Sequence, residues 1–206
     1  MASSILSALA GALVFGAAGV CGSLLATALV PHLKRFDDGP PSFDVHPMAL
    51  IAGAAVLGAV VGFRQTPLDA FALAALATVV LAGIWYCDSK TGIIPDWFTL
   101  LPLGLMLVYG LIRHDWMAPI SALALFAPFG FVALVSKGIG MGWGDAKLAA
   151  LGGALVGVEM AAISFTLATL VAIIVTKIRY RGQSVPIALG PYLVCAIAVS
   201  IAAQPR

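Results

Sequence analysis

The strongest constraint on this chain is a succession of apolar runs too long and too free of charge for a water-soluble core to absorb. Eight runs qualify: 5–30, 47–63, 67–86, 97–112, 117–136, 146–158, 160–177 and 185–203. A membrane-crossing helix needs roughly 20 mostly apolar residues, and fewer where the helix is short or the bilayer thins. Charge is correspondingly scarce. Asp, Glu, Lys and Arg make up 10% of 206 residues, 62% are hydrophobic, and the mean hydropathy is +1.08. Soluble domains carry roughly 25% charged residues, so a soluble globule is excluded. Disorder and nucleic-acid binding are excluded too, since they need a polar or strongly basic chain. A membrane β-barrel needs alternating segments of about ten residues, and these runs are continuous. The expected fold is therefore all-α: a polytopic transmembrane helix bundle of about eight spans. The second, fourth and sixth runs are short, and the sixth is a candidate to merge with the seventh. The bilayer is the one partner that composition implies.

Lys and Arg orient the spans. Lys34, Arg35, Lys90, Lys137, Lys147, Lys177, Arg179 and Arg181 fall on one side, and Arg64, Arg113 and Arg206 on the other. The positive-inside rule then places loops 31–46, 87–96, 137–145 and 178–184 in the cytoplasm and both termini outside. Met1 to Ser4 carry no Lys or Arg, so no cleavable signal peptide is expected. Gly58 with Gly62, and Gly153 with Gly157, form two GxxxG pairs suited to close helix packing. Nothing divides residues 1–206 into more than one integral membrane domain.

Each of the nine acidic residues is informative. Asp37, Asp38, Asp44, Asp88, Asp96 and Asp145 fall on the cytoplasmic side; Asp69, Asp115 and Glu159 fall on the other. None is in mid-span, which argues against an ion path through the bilayer. Asp96, after Pro95, is expected to cap a helix. Asp88 has no such structural role, because it closes a helix whose dipole disfavours negative charge there. Asp145 follows Gly138, Gly140, Gly142 and Gly144 and stands where a helix restarts, as its cap. The glycine run gives a backbone free to take positive φ. It is not a phosphate-binding loop, since the strand and the Lys-Ser/Thr pair are missing.

Two aspartates at helix ends on one face suggest a paired-carboxylate site in which the acids share a proton. One takes a proton from water and the other polarises a carbonyl. No cofactor or metal is needed. The three histidines and three cysteines have no ligand spacing, and Cys21, Cys87 and Cys195 form no framework.

These motifs resemble the type IV prepilin peptidases. Gly142-Trp143-Gly144-Asp145, followed by Ala-Lys-Leu, is similar to the family's second catalytic motif. Asp88 with Pro95-Asp96 is similar to the first. Pro186-Ile187-Ala188-Leu189-Gly190-Pro191-Tyr192 is similar to the segment before the last span. The resemblance covers about residues 67–200, the expected peptidase core. It implies an intramembrane GxGD aspartyl endopeptidase that cuts a prepilin between its basic leader and its hydrophobic helix, at the cytoplasmic face of the inner membrane. It implies Asp88 and Asp145 as the catalytic pair, with Gly142, Gly144, Lys147, Pro95 and Asp96 in support. Longer family members carry a cysteine-rich zinc domain after the first span and also N-methylate the product. Here Pro31 to His46 is 16 residues without cysteine, so neither zinc nor methyl transfer is expected. The chain resembles the short peptidases of tight-adherence (Flp) pili. Presenilin-like proteases share GxGD, but Tyr86 precedes Cys87 and their Pro-Ala-Leu-Pro is absent.

Helix dipoles separate the acids, with Asp145 expected as base and Asp88 as the protonated partner. Asp37, Asp38 and Asp44 either attract the basic leader or keep a loop in water. Lys147 either tunes Asp145 or sets topology. The rival class is a non-enzymatic transporter or assembly subunit.

Overall fold

The computed structural model describes residues 2–33, 46–64, 66–137, 141–181 and 187–204. Within them the chain forms α1 (Ala2–Leu29), α2 (Pro47–Phe63), α3 (Leu68–Thr91), α4 (Asp96–Ile112), α5 (Met117–Val135), α6 (Trp143–Val156), α7 (Val158–Arg179) and α8 (Gly190–Ala203), and no strand. Each expected apolar run is a helix. Four stretches are long and apolar enough to cross a membrane: Ser3–His32, Leu68–Thr91, Met117–Val135 and Val158–Arg179. The chain is an all-α multi-pass membrane bundle. Asp37, Asp38, Asp44, Gly138, Gly140 and Pro186 lie outside the described residues.

α6 is the central helix. Its 14 residues reach about 21 Å, short of a hydrocarbon core of about 30 Å. Its sequence, WGDAKLAALGGALV, is rich in Ala and Gly, which lets neighbouring backbones approach. α4, α5, α7 and α8 all pack on it. Leu148, Ala149 and Leu151 are consequently buried and join Ile84, Phe165, Leu193 and Ile197 in the main core. A smaller cluster of Phe15, Leu57, Val61 and Ala74 ties α1, α2 and α3 together.

Gly58 and Gly62 behave as packing glycines. A Cβ at Gly58 would strike the Gly11 carbonyl oxygen, and one at Gly62 would strike that of Ser7. The second pair divides its roles. Gly153 packs against the Ser121 backbone of α5, whereas a Cβ at Gly157 would touch nothing. Gly157 instead has φ +82° and caps α6, its N–H donating to the Gly153 carbonyl at 2.9 Å. That left-handed residue separates α6 from α7, so the two runs do not merge.

Polar contacts identify the two ends of the bundle. At one end Arg64 Nη1 donates to the Gln204 carbonyl at 3.0 Å, Gln204 Nε2 donates to the Leu155 carbonyl at 3.1 Å, and Arg113 pairs with Asp69 at 3.6 Å. Asp88, Asp96, Asp145 and Lys147 lie at the opposite ends of their helices. The separation follows the sorting of charges expected from sequence.

Candidate active site

The site forms where the C-terminal end of α3 meets the N-terminal ends of α4, α6 and α8. α3 runs past the expected limit at Tyr86 and carries Asp88 in its last turn. The polar residues there remain helical because their side chains are enclosed: Asp88, Ser89 and Thr91 are all buried. Thr91 Oγ1 donates to the Cys87 carbonyl at 2.8 Å and accepts from the Ile93 N–H at 3.2 Å. Gly92, at φ +69°, then ends the helix, its N–H donating to the Asp88 carbonyl at 2.9 Å. Only glycine takes that conformation without strain.

Asp88 is 6% exposed, and its Oδ2 has no hydrogen-bond partner among the described residues. Across the bundle it lies against Gly190, the first residue of α8. A Cβ at Gly190 would lie 2.5 Å from Asp88 Oδ2 and 2.8 Å from Cγ. The positive end of the α8 dipole therefore faces this carboxyl. Sequence reasoning left Gly190 out of the site, although the Pro-x-x-x-Gly-Pro segment was its signal.

Asp145 is half-buried in the first turn of α6. It does not cap the helix, as expected, because Gly142 occupies that position. Asp145 is the third helical residue, and its Oδ2 accepts from the Gly142 N–H at 3.2 Å. The side chain reaches back to an amide that the helix leaves unpaired. Gly142 has φ −77°, so its glycine is not required for a left-handed turn. Gly144 serves close approach, since a Cβ there would lie 2.9 Å from Ile94 Cβ in the α3–α4 connection.

Asp96 is likewise the first residue of α4 and not its cap; buried Pro95 holds the cap position. The Asp96 carboxylate is exposed and accepts from Lys147 Nζ at 2.5 Å. Lys147 is thus directed to Asp96. Such an exposed pair stabilises by about 0–1 kcal/mol. A double-mutant cycle on unfolding with Asp96→Ala and Lys147→Ala should give a coupling of that size; additive single effects would show that the contact is incidental.

No Cα of α3 lies within 8 Å of one in α6 among the described residues. α8 and the 92–95 connection bridge them, with Gly190 against Asp88 and Ile94 against Gly144. The negative charge of Asp145 acts on Asp88. Each carboxyl is approached by a backbone amide at a helix start, Asp88 by that of Gly190 and Asp145 by that of Gly142, and two carboxyls in mutual influence can hold one shared proton. No three His, Cys, Asp or Glu side chains cluster as metal donors among the described residues.

An apolar helical bundle with an acid pair at one end defines a polytopic membrane protein with a carboxylate-lined site. The type IV leader peptidase family matches residues 75–177. That is half of the chain, it includes both acids, and the chain belongs to this family. Two proteins of Aeromonas salmonicida, one from strain A449, are each described as a prepilin leader peptidase/N-methyltransferase. Both are 32% identical to it over 155 residues, covering 69% of this chain and 53% of theirs. The chain spans about half the length of these curated relatives. No solved structure matches it.

Proposed function

We propose that this chain is a prepilin leader peptidase of aspartyl type. The observation that carries the reading is the enclosed Asp88 carboxyl under the electrostatic influence of Asp145. Asp145, half-buried where Asp88 is enclosed, is the acid more open to water; it is the general base and takes a proton from that water. Asp88, enclosed and without a hydrogen-bond partner at Oδ2, carries the shared proton and donates a hydrogen bond to the scissile carbonyl. As the water oxygen bonds to the carbonyl carbon, its proton passes to Asp145 and the Asp88 proton passes to the carbonyl oxygen, so a neutral diol forms. Its collapse breaks the C–N bond as Asp145 gives its proton to the leaving nitrogen and Asp88 takes back a proton from the diol hydroxyl. Gly142, Gly144, Pro95, Asp96 and Lys147 position the two acids, within a peptidase core of about residues 67–200 in one membrane domain.

The substrate is a type IV prepilin of the Flp kind, cut between its basic leader and its hydrophobic helix. The basic residues near the acid end favour a cytoplasmic site in the inner membrane, with both termini outside. The 16-residue segment Pro31 to His46 without cysteine supports cleavage without methyl transfer. The test is co-expression with an Flp-type prepilin, followed by mass measurement of the product. The expected product lacks its leader and carries no added methyl group. An intact leader in every prepilin offered overturns the reading, and a methylated product corrects its second part.

A further inference from the structure

α2 packs chiefly on α1 and does not close fully on α3 and α8. The gap is an apolar cavity of about 290 Å³ lined by Ala49, Gly53, Leu57, Thr78, Trp85 and Cys195, among others. Its walls lead to the acids. On α3 the lining residues Thr78, Leu81, Ala82 and Trp85 follow helical spacing, and Asp88 is one turn beyond Trp85 on the same side. On α8 the lining residues Val194, Cys195, Ala198 and Val199 make one face, and Gly190 is one turn before Val194. Gly190 is the residue that touches Asp88. The groove therefore runs between two helices that converge on a carboxyl oxygen that is enclosed and without a partner.

We propose that this groove seats the start of the substrate's apolar helix, delivering the bond that precedes it to Asp88 and Asp145. The inference rests on the peptidase reading above and specifies where that substrate lies. The lining suits a helix. Ala49, Gly53, Ala54, Ala82 and Ala198 offer small side chains that permit close approach. Trp85, one turn before Asp88, adds a broad apolar surface to the lining. The basic leader then leaves the bundle on the side of Asp96.

Gly53 allows a direct test. A Cβ there meets nothing within 4 Å, so Gly53→Phe grows into the groove and not into the fold. Two substrates are compared in detergent: a full prepilin, and a soluble peptide with the leader and only the first residues after the cut. The ratio of cleavage rates, full prepilin over short peptide, should fall by about ten-fold or more in Gly53→Phe. The second measurement does not depend on that variant. Cys195 is exposed and lines the groove. In an Asp88→Asn, Cys21→Ser chain it should form a disulfide, under mild oxidation, with a cysteine in the first turns of the prepilin helix. Crosslinks to the leader alone, no crosslink, or a ratio unchanged from the parent overturn the groove, lipid then being its occupant. The parent still cleaves in those cases; absence of cleavage by the parent overturns the peptidase reading instead.

Discussion

Asp88→Asn and Asp145→Asn should each reduce prepilin cleavage by about a thousand-fold or more, with the protein still inserted and folded. Removing one member of a catalytic unit costs nearly as much as removing the unit. Asparagine matches aspartate in size, so the loss reports chemistry and not collapse. At Asp145 the amide oxygen still accepts from Gly142, but no base remains to take the proton of water. At Asp88 the neutral amide occupies the same enclosed site, but cannot pass on a proton. The measurement is the rate of leader removal from purified prepilin, with the elution profile in detergent as the check on folding. Either variant retaining a tenth of the parent rate would exclude the acid pair as the catalytic centre.

The second large effect is expected where no charge changes. In Gly190→Ala the new methyl would lie 2.5 Å from Asp88 Oδ2, 2.8 Å from its Cγ and 3.2 Å from its Cβ. One partner must yield. α3 is fixed by its packing, and α8 by Leu193 and Ile197 in the core, so the Asp88 carboxyl turns away. A displacement of about 1 Å at a reacting group is worth about 100-fold in rate. The strain itself costs about 1–3 kcal/mol. Gly104→Ala supplies the contrast, because a Cβ there meets nothing within 4 Å. It should cleave at the parent rate and gain slightly in helix stability. If Gly190→Ala also cleaves at the parent rate, the contact between α8 and Asp88 has no bearing on the chemistry.

Helix positions were legible because apolar runs bounded by Pro, Gly and charge leave few alternatives. α2 occupies 47–63 and α5 starts at 117, as expected. The misplaced boundary is instructive. Hydropathy stops at Tyr86, but α3 continues to Thr91, because hydropathy marks the end of an apolar surface and not of a hydrogen-bonded helix. Asp88, among the polar residues that follow, lies against Gly190 of α8, and no local pattern reports a neighbour about a hundred positions away. The caps fall elsewhere than expected. Pro95 before Asp96 suggests a cap at Asp96, and the restart of a helix suggests one at Asp145, whereas the backbone gives those positions to Pro95 and Gly142. The acids were legible as candidates because charge is so scarce. Their proximity was not, since among the described residues no Cα of α3 comes within 8 Å of one in α6, and the pair depends on α8 and the 92–95 connection. Lys147 illustrates the same point. Its place in sequence leaves open a role beside Asp145 or in setting topology, and the partner it takes, Asp96, comes from the packing of α4 on α6.

The dependence of Asp88 on Gly190 also orders events in time. Gly190 is made 102 residues after Asp88, an interval of roughly 5–20 s at about 5–20 residues per second. During translation both acids are in place before the helix that encloses one of them. The nascent chain therefore carries its two carboxylates through biosynthesis without the enclosure that makes them a pair. On the proposed reading, the carboxyl pair is completed only when α8 docks, and competence follows that docking and not the synthesis of the acids.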